Sequence, residues 1–257
     1  MRILFDRNGL QASVHLGDYL RLSVLVTELF YANNWISFSS EEALTADELS
    51  EVDVLVITTR IALPFPWVEE VEYTDQEIKD ISDFVHRGGG LLLMSNHADR
   101  PGNTFDARKH DAVLAEQFGI TLEPTFFGNP RREKTRITAP LFKKEHPIIA
   151  GADDDNPVES IITNTFCSII ANNGECIVSI PEEVIDLRDG CSQEGRGFAW
   201  ALEGEQIKPG AKGRIVVVAD SGFIGTEITT MPGPGLIGHG NNLRFVNNSI
   251  RWLGKEL

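Results

Sequence analysis

Runs of apolar residues that end abruptly in polar ones mark three places in the first hundred residues of this chain, at 3–5, 52–57 and 91–94. Continuous apolar runs of this length are typical of strands that are covered on both faces, as in a parallel sheet. The run at 214–219 has the same character and is the strongest of the four. The pattern therefore predicts four buried, parallel strands.

Helical patterns lie between these runs. Residues 18–33 carry apolar side chains three and four positions apart, which predicts an amphipathic helix. A capping box at 74–77 begins a second helix, which three glycines end, and further helices are predicted at about 107–118 and 241–254. The alternation of strands and helices indicates an α/β fold with a doubly wound, mostly parallel, flavodoxin-like sheet.

The middle of the chain, residues 120–205, has a different pattern. Short β-prone pieces alternate there with clusters of Gly, Pro, Asn and Asp. We interpret these pieces as antiparallel additions at one edge of the sheet rather than as a second domain. The chain contains no internal repeat and no low-complexity linker, so residues 1–257 are predicted to form one domain.

Charge and composition limit the classes of partner. The formal net charge of −15 repels phosphate backbones and anionic lipid, so nucleic acid and membrane are not expected as partners. The three cysteines lack CxxC spacing, which disfavours a zinc knuckle or a disulfide framework. The N-terminus does not resemble a signal peptide, so a cytoplasmic location is predicted. Aromatic and proline residues at 63–67 could contact a second copy, a ligand or their own domain, which leaves a homo-oligomer open.

Candidate site residues follow from the predicted sheet. Ligands of open α/β sheets bind beyond the carboxyl ends of the strands, because loops and helix N-termini converge there. We expect His97 to act as a general base oriented by Asp99 or Asp220, with His239 as a further catalytic candidate. Seven other residues are candidates for binding a small polar substrate: Asp6, Arg7, Thr59, Arg60, Asn96, Ser221 and Asn241. Turn formation is an equally good explanation of Asp6 and Asp220.

A metal site is a second possibility at the same edge. His97, His239 and one or two of Asp6, Asp99 and Asp220 would supply mixed nitrogen and oxygen ligands, which suit zinc, manganese or iron, with Asp220 the first candidate among the three carboxylates. The chain has no HxH, HxxxH or HExxH spacing, so this hypothesis depends entirely on the predicted fold.

Several segments resemble the class I glutamine amidotransferase-like superfamily. The similar segments are the strand that ends at Asp6, the glycines before the 91–94 run, Glu145-His146-Pro147-Ile148, residues 213–221 and residues 245–253. The pattern is similar to the branch that contains gliding-motility and ABC-transporter accessory domains, and more loosely to trehalose-utilisation-type proteins. The resemblance implies the same α/β fold and covers nearly the whole chain.

One departure from the superfamily concerns the catalytic cysteine. Amidotransferases place it directly after the strand that here spans 91–94, where this chain has Ser95, Asn96 and His97. A glutaminase needs that thiolate beside a histidine, so we do not expect glutaminase activity. Two hypotheses remain: a small-molecule hydrolase or lyase that uses His97, and a non-catalytic module that binds a ligand or a protein.

Overall fold

A ten-stranded mixed sheet forms the centre of the molecule in the computed structural model. The structure describes residues 1–6, 8, 12–13, 20–21, 33–40, 42–60, 71–98, 106–131, 133–152, 157–188, 190–224 and 236–257. Within these ranges the strands are β1 (Arg2–Asp6), β2 (Ala12–Ser13), β3 (Leu20–Arg21), β4 (Ile36–Ser40), β5 (Val54–Ile57), β6 (Gly90–Met94), β7 (Ile120–Gly128), β8 (Thr135–Thr138), β9 (Ser160–Thr163), β10 (Thr165–Ala171), β11 (Glu175–Ser179), β12 (Ile185–Asp186), β13 (Gly197–Glu203) and β14 (Arg214–Val218). The α-helices are α1 (Ala46–Ser50), α2 (Asp75–Arg87), α3 (Lys109–Glu116), α4 (Pro147–Ala150) and α5 (Asn242–Leu253), and short 3-10 helices span Gly204–Gln206 and Gly222–Ile224.

The parallel half of the sheet contains β4, β1, β5, β6 and β14, side by side in that order. The four predicted strands are confirmed as β1, β5, β6 and β14, and nearly all of their side chains are buried, as their continuous apolar sequences require. Strand β4 was not predicted. Its sequence, Ile-Ser-Phe-Ser-Ser, is half polar and has no continuous apolar run.

The other half of the sheet is antiparallel. Strand β13 pairs with β14, β10 and β11, and the order continues through β10 and β7 to β12. This confirms antiparallel additions from the middle of the chain at one edge. The expectation of a mostly parallel sheet is wrong, since the sheet is mixed. The β13–β14 connection spans only residues 204–213, which is shorter than the dozen or more residues of a parallel crossover.

Two pairs of strands stand outside this sheet. Strands β8 and β9 form an antiparallel pair of their own, although residues 161–162 were expected to join the main sheet. Strands β2 and β3 form a parallel pair. Because β3 lies within 18–33, the predicted helix does not include residues 20–21; most of the remaining predicted helix lies outside the described residues.

Helix α2 begins at the predicted capping box. The Thr74 side chain accepts a hydrogen bond from the Glu77 amide, Glu77 accepts one from the Thr74 amide, and Gly88 with φ +126° ends the helix. Helix α3 is shorter than predicted, and its Val113 side chain is 47% exposed. None of the helices within the described ranges is long and apolar enough to cross a bilayer.

Candidate functional site

The parallel strands bring their polar end residues to one edge of the sheet. Asp6 ends β1, residues 58–60 follow β5, residues 95–97 follow β6, and residues 220–221 lie just beyond β14. All of these residues except His97 are buried. Buried polar groups in a protein need partners, so the contacts of each one define what this edge can do.

Arg60 is almost completely buried, with 1% of its surface exposed. Its Nε donates to Asp6 Oδ2 at 2.9 Å, and its Nη2 donates to Glu77 Oε1 at 2.8 Å. The guanidinium carbon also lies 3.9 Å from the centroid of the Tyr73 ring. A guanidinium out of water is stable only with such partners. We call Asp6, Arg60, Tyr73 and Glu77 the Arg60 cluster.

Glu77 has two functions, of which only one was predicted. Its Oε2 accepts from the Thr74 amide, as the capping box requires, and its Oε1 accepts from both Arg60 and the Leu44 amide at 3.0 Å. The sequence pattern identified the cap because capping is local. It could not identify the ion pair, because the 17 residues from Arg60 to Glu77 had no predicted geometry.

The protonation of the cluster follows from its burial. Burial raises the pKa of Asp6, although the nearby Arg60 guanidinium opposes this. Burial also acts to raise the pKa of Glu77, but the hydrogen bonds from Arg60 and the Thr74 amide hold this pKa below its usual range. Burial lowers the pKa of Arg60, yet the two carboxylates more than offset that effect, so Arg60 stays charged. With one cation between two carboxyl groups, the cluster offers no excess positive charge.

Asp111 is a buried carboxyl group that sequence reasoning missed. It lies in the first turn of α3, and its oxygens accept from the Arg60 amide at 3.2 Å and from Ser95 Oγ at 2.9 Å. Burial raises its pKa to about 7, despite these bonds. Strand ends and loops gave the predicted site residues, so an acidic residue inside a helix was not among them.

Thr59 has a strained backbone, with φ +73°. The left-handed region is unfavourable for a β-branched residue and is associated with ligand clamps and active sites. Thr59 Oγ1 donates to the Ala107 carbonyl at 3.1 Å, which helps to hold this conformation. In this conformation the backbone turns directly before Arg60.

Three polar atoms of this region have no hydrogen-bond partner. They are Thr58 Oγ1, Arg60 Nη1 and the Tyr73 hydroxyl, out of five such buried side-chain atoms in the described part of the chain. Each unpaired buried polar atom costs about 1–3 kcal/mol of stability. Two of the three atoms belong to Arg60 and to Tyr73, whose ring lies against the guanidinium, and the third belongs to Thr58, two residues before Arg60.

A second polar cluster lies at the ends of β6 and β14. Asn96 Nδ2 donates to Ser221 Oγ at 3.2 Å, and Asn96 Oδ1 accepts from the His97 amide at 2.8 Å. Asp220 accepts from Thr163 Oγ1 and from the Gly222 amide. Burial raises the pKa of Asp220 to about 6 in spite of these bonds. The structure thus brings the predicted residues Asn96 and Ser221 into contact.

The His97 ring is half-buried. Its Nδ1 lies 2.6 Å from the Ala98 carbonyl oxygen, and its ring packs edge-on against Phe126, with 4.3 Å between the centroids. Because a carbonyl oxygen only accepts, Nδ1 must carry the hydrogen. Neutral His97 therefore presents Nε2 as an acceptor.

Of the remaining predicted site residues, His239 and Asn241 are described and two others are not. His239 is half-buried in the turn before α5, and Asn241 Oδ1 accepts from the Glu159 and Ser160 amides, which ties that turn to β9. Arg7 and Asp99 lie outside the described residues.

No group of three or more His, Cys, Asp or Glu side chains within the described ranges is placed to hold a metal ion. His97, His239 and Asp220 are all described, so the expectation that they form one metal site is wrong. The physical reason is side-chain direction, since Asp220 is bonded to Thr163 while the His97 ring packs on Phe126.

Comparison with known proteins shows the fold. No family model and no curated protein matches the chain. The mmIFT52 N-terminal domain superposes with a TM-score of 0.68 at 12% identity, covering 98% of this chain and 97% of its own. A ThuA-like protein from Bacteroides uniformis gives 0.54 at 13% identity, covering 98% of this chain and 90% of its own.

The fold is similar to that of solved ThuA-like proteins. A cytoplasmic protein from Salmonella typhimurium is also similar, with a TM-score of 0.58 at 14% identity over 98% of this chain and 99% of its own. Identities this low establish a shared fold alone. The ThuA-like fold is glutamine amidotransferase-like, so the expected superfamily resemblance holds at the level of the fold.

Replacing Arg60 tests the buried ion cluster. In Arg60→Met, two buried carboxyl groups lose their cation, so the free energy of unfolding at pH 7 should fall by about 3–5 kcal/mol. The loss should be smaller at pH 5, because a carboxyl group with a raised pKa, such as Asp6, takes up a proton there. Urea denaturation measures both values.

Lys79→Met is the control, because it removes an exposed ion pair with Asp83 and should change stability little. An equal loss of stability in both variants would contradict the interpretation of Arg60 as a buried, paired charge.

Asp111 should make stability depend on pH. Its pKa is about 7 in the folded protein against 3.8 for an ordinary carboxyl group, so between these values the folded state binds the extra proton. The free energy of unfolding of the wild type, relative to Asp111→Asn, should therefore fall as pH rises from about 4 to about 7. Urea denaturation across this range measures the slope. The exposed control Asp83→Asn should not show this fall, because the hydrogen bond from Lys79 lowers the pKa of Asp83 rather than raising it; parallel profiles for the wild type and Asp111→Asn would refute the prediction.

Proposed function

We propose that this chain is a non-catalytic module that binds a small, uncharged polar molecule beside Arg60, at the carboxyl edge of the parallel strands. One observation carries the proposal. Thr58 Oγ1, Arg60 Nη1 and the Tyr73 hydroxyl are buried and unpaired next to a strained Thr59. A protein retains such unfavourable groups where they serve binding rather than folding.

The charge of the cluster selects an uncharged ligand. Asp6 and Glu77 already neutralise Arg60, and Asp111 adds a further acidic group at the Arg60 amide. An anion would therefore meet net repulsion. The unpaired guanidinium N–H needs an acceptor, and the two hydroxyls can donate or accept, so a ligand hydroxyl or carbonyl oxygen fits them.

The bonds of the carboxyl groups favour binding over catalysis. A general base must lie within hydrogen-bond reach of a substrate proton, and each carboxyl group at this edge is instead held in place by at least two bonds to the protein itself. Asp6 is bonded to Arg60 and the Asn8 amide, Asp111 to Ser95 and the Arg60 amide, and Asp220 to Thr163 and the Gly222 amide. These contacts suit a rigid binding frame.

The strand order supports the same location. Numbered along the chain, the parallel strands lie in the order 2-1-3-4-5, which is the order of doubly wound, flavodoxin-like sheets. Such sheets bind ligands where the order reverses, here between β1 and β5. Asp6 ends β1 and Arg60 follows β5, so the Arg60 cluster lies at that crevice. A binding role also agrees with the resemblance to accessory domains of gliding motility and ABC transport.

Removing the unpaired hydroxyls should separate binding from stability. Tyr73→Phe and Thr58→Val each delete an unpaired oxygen, so the free protein should be as stable as the wild type or up to about 1–3 kcal/mol more stable. Each should weaken ligand binding by ~10-fold, because a ligand hydrogen bond is lost. Thermal shift against sugars, polyols and amides, with phosphate and citrate for comparison, would first identify the ligand.

Thr135→Val is the matched control for these variants. Thr135 Oγ1 is also buried and unpaired, but Thr135 lies on β8, outside the Arg60 cluster. It should gain stability without any change in binding. Equal weakening by Thr135→Val, or stabilisation of the wild type by the anions alone, would contradict the proposal.

A hydrolase or lyase is the second candidate, and the His97 tautomer favours it. With Nδ1–H directed to the Ala98 carbonyl, Nε2 has the form that a general base requires. Of the two residues predicted to orient this ring, Asp220 accepts hydrogen bonds from Thr163 and Gly222, and Asp99 lies outside the described residues.

Activity assays distinguish the two candidates. Under the binding proposal, wild-type protein and His97→Gln should both leave a panel of small esters, amides and glycosides unchanged above the buffer rate. Hydrolysis by the wild type that falls by ~100-fold or more in His97→Gln, but not in the control His86→Gln, would establish the enzyme instead.

A further inference from the structure

Strand β4 is the outermost strand on the parallel side of the sheet. Two of its side chains are large, apolar and exposed: Ile36 at 56% and Phe38 at 38%. Only two other large apolar side chains in the described part of the chain are comparably exposed, and they lie apart on α3 and β12. The exposed apolar surface is therefore concentrated on one sheet edge.

The backbone N–H and C=O groups on the outer side of β4 form no hydrogen bonds with a described strand. The Ile36 amide donates to the Met1 carbonyl at 3.1 Å, which directs residue 36 towards β1. Because hydrogen-bonding direction alternates along a strand in a parallel ladder, residues 38 and 40 also face β1. The backbone N–H and C=O groups of residues 37 and 39 consequently point outwards.

The edge lacks the usual protection against pairing. Natural edge strands are blunted by lysines, prolines, bulges or inward charges. Residues 36–40 contain no ionisable residue and no proline, and their pairing with β1 runs without a bulge. An uncharged edge on a chain with net charge −15 is a place where two acidic molecules can approach.

We propose that β4 pairs with β4 of a second copy of this chain, antiparallel and centred on Phe38. The backbone N–H and C=O of Ser37 would then bond to those of residue 39 in the other copy. Residue 39 would bond to Ser37 of the other copy in the same way, which gives four hydrogen bonds about a two-fold axis. Phe38 would face Phe38 as a non-hydrogen-bonded pair, the closest kind of cross-strand side-chain contact. This interface is independent of the proposed ligand site.

Charge favours the antiparallel arrangement with an identical strand. Arg2 lies beside Ile36 at the start of β4, and its guanidinium carbon is 4.8 Å from the centroid of the Phe38 ring. Its guanidinium also forms an exposed ion pair with Glu51, with 3.4 Å between Nη1 and Oε2. Exposed Glu42 follows the other end of the strand. An antiparallel pair brings Arg2 of each copy near Glu42 of the other, whereas a parallel pair would bring like charges of the two copies together.

The size of the contact sets its strength. Two five-residue strands make a smaller interface than stable dimers have, so the dimer should be weak, with a dissociation constant of roughly 10–100 µM. Sedimentation velocity from about 1 to about 300 µM covers this range. The sedimentation coefficient of the wild type should rise with concentration from monomer to dimer.

Three variants test the interface. Phe38→Lys places two cations opposite each other and should raise the dissociation constant by at least ~10-fold. Ser37→Pro removes an outward N–H without affecting the bonds to β1 and should have a similar effect. Val113→Lys alters a comparably exposed apolar residue on α3 and should dimerise as the wild type does. Thermal unfolding checks that each variant is folded.

Two results would overturn the proposal. One is a wild type that stays monomeric at about 300 µM, which would leave β4 to a different partner or to none. The other is a dimer that folded Phe38→Lys and Ser37→Pro leave unchanged, or that Val113→Lys weakens equally, which would place the interface elsewhere.

Discussion

The burial of the Arg60 charge is the constraint on which this edge of the molecule depends. A guanidinium with 1% exposure requires carboxylates in direct contact, and they come from two other elements, Asp6 at the end of β1 and Glu77 in α2. Glu77 also accepts from the Leu44 amide, so the segment before α1 is held by the same side chain. One charge thus determines how β1, β5 and α2 meet.

The same constraint explains the chemistry of the edge. Asp6 and Glu77 hold the Arg60 guanidinium, and Asp111 accepts from the Arg60 amide. One guanidinium nitrogen, Nη1, and two hydroxyls have no partner, and the neighbouring threonine has a left-handed conformation. These features lower stability, and they support the proposal of a preorganised site for a neutral polar molecule.

Local patterns predicted much of the fold and only part of the site. Local sequence patterns indicated the parallel strands, the capping box of α2 and the antiparallel additions, because each depends on residues that are close together in the chain. Strand β4 has a half-polar sequence, and its place beside β1 is a tertiary result. Strand ends located Asp6, Arg60, Asn96 and Ser221 at one edge, but side-chain directions decide which atoms meet. For that reason the predicted metal trio failed and Asp111 was missed.

A crystal structure of the purified protein at about 1.5 Å resolution tests the central claim most directly, because it shows what contacts the three unpaired atoms. We expect electron density for an ordered polar molecule within hydrogen-bonding distance of Arg60 Nη1, Thr58 Oγ1 and the Tyr73 hydroxyl. The hydrogen bonds from Arg60 to Asp6 and Glu77 should be intact. Side chains of the protein itself bonded to all three atoms would contradict it, since the groups assigned to a ligand would then belong to the fold.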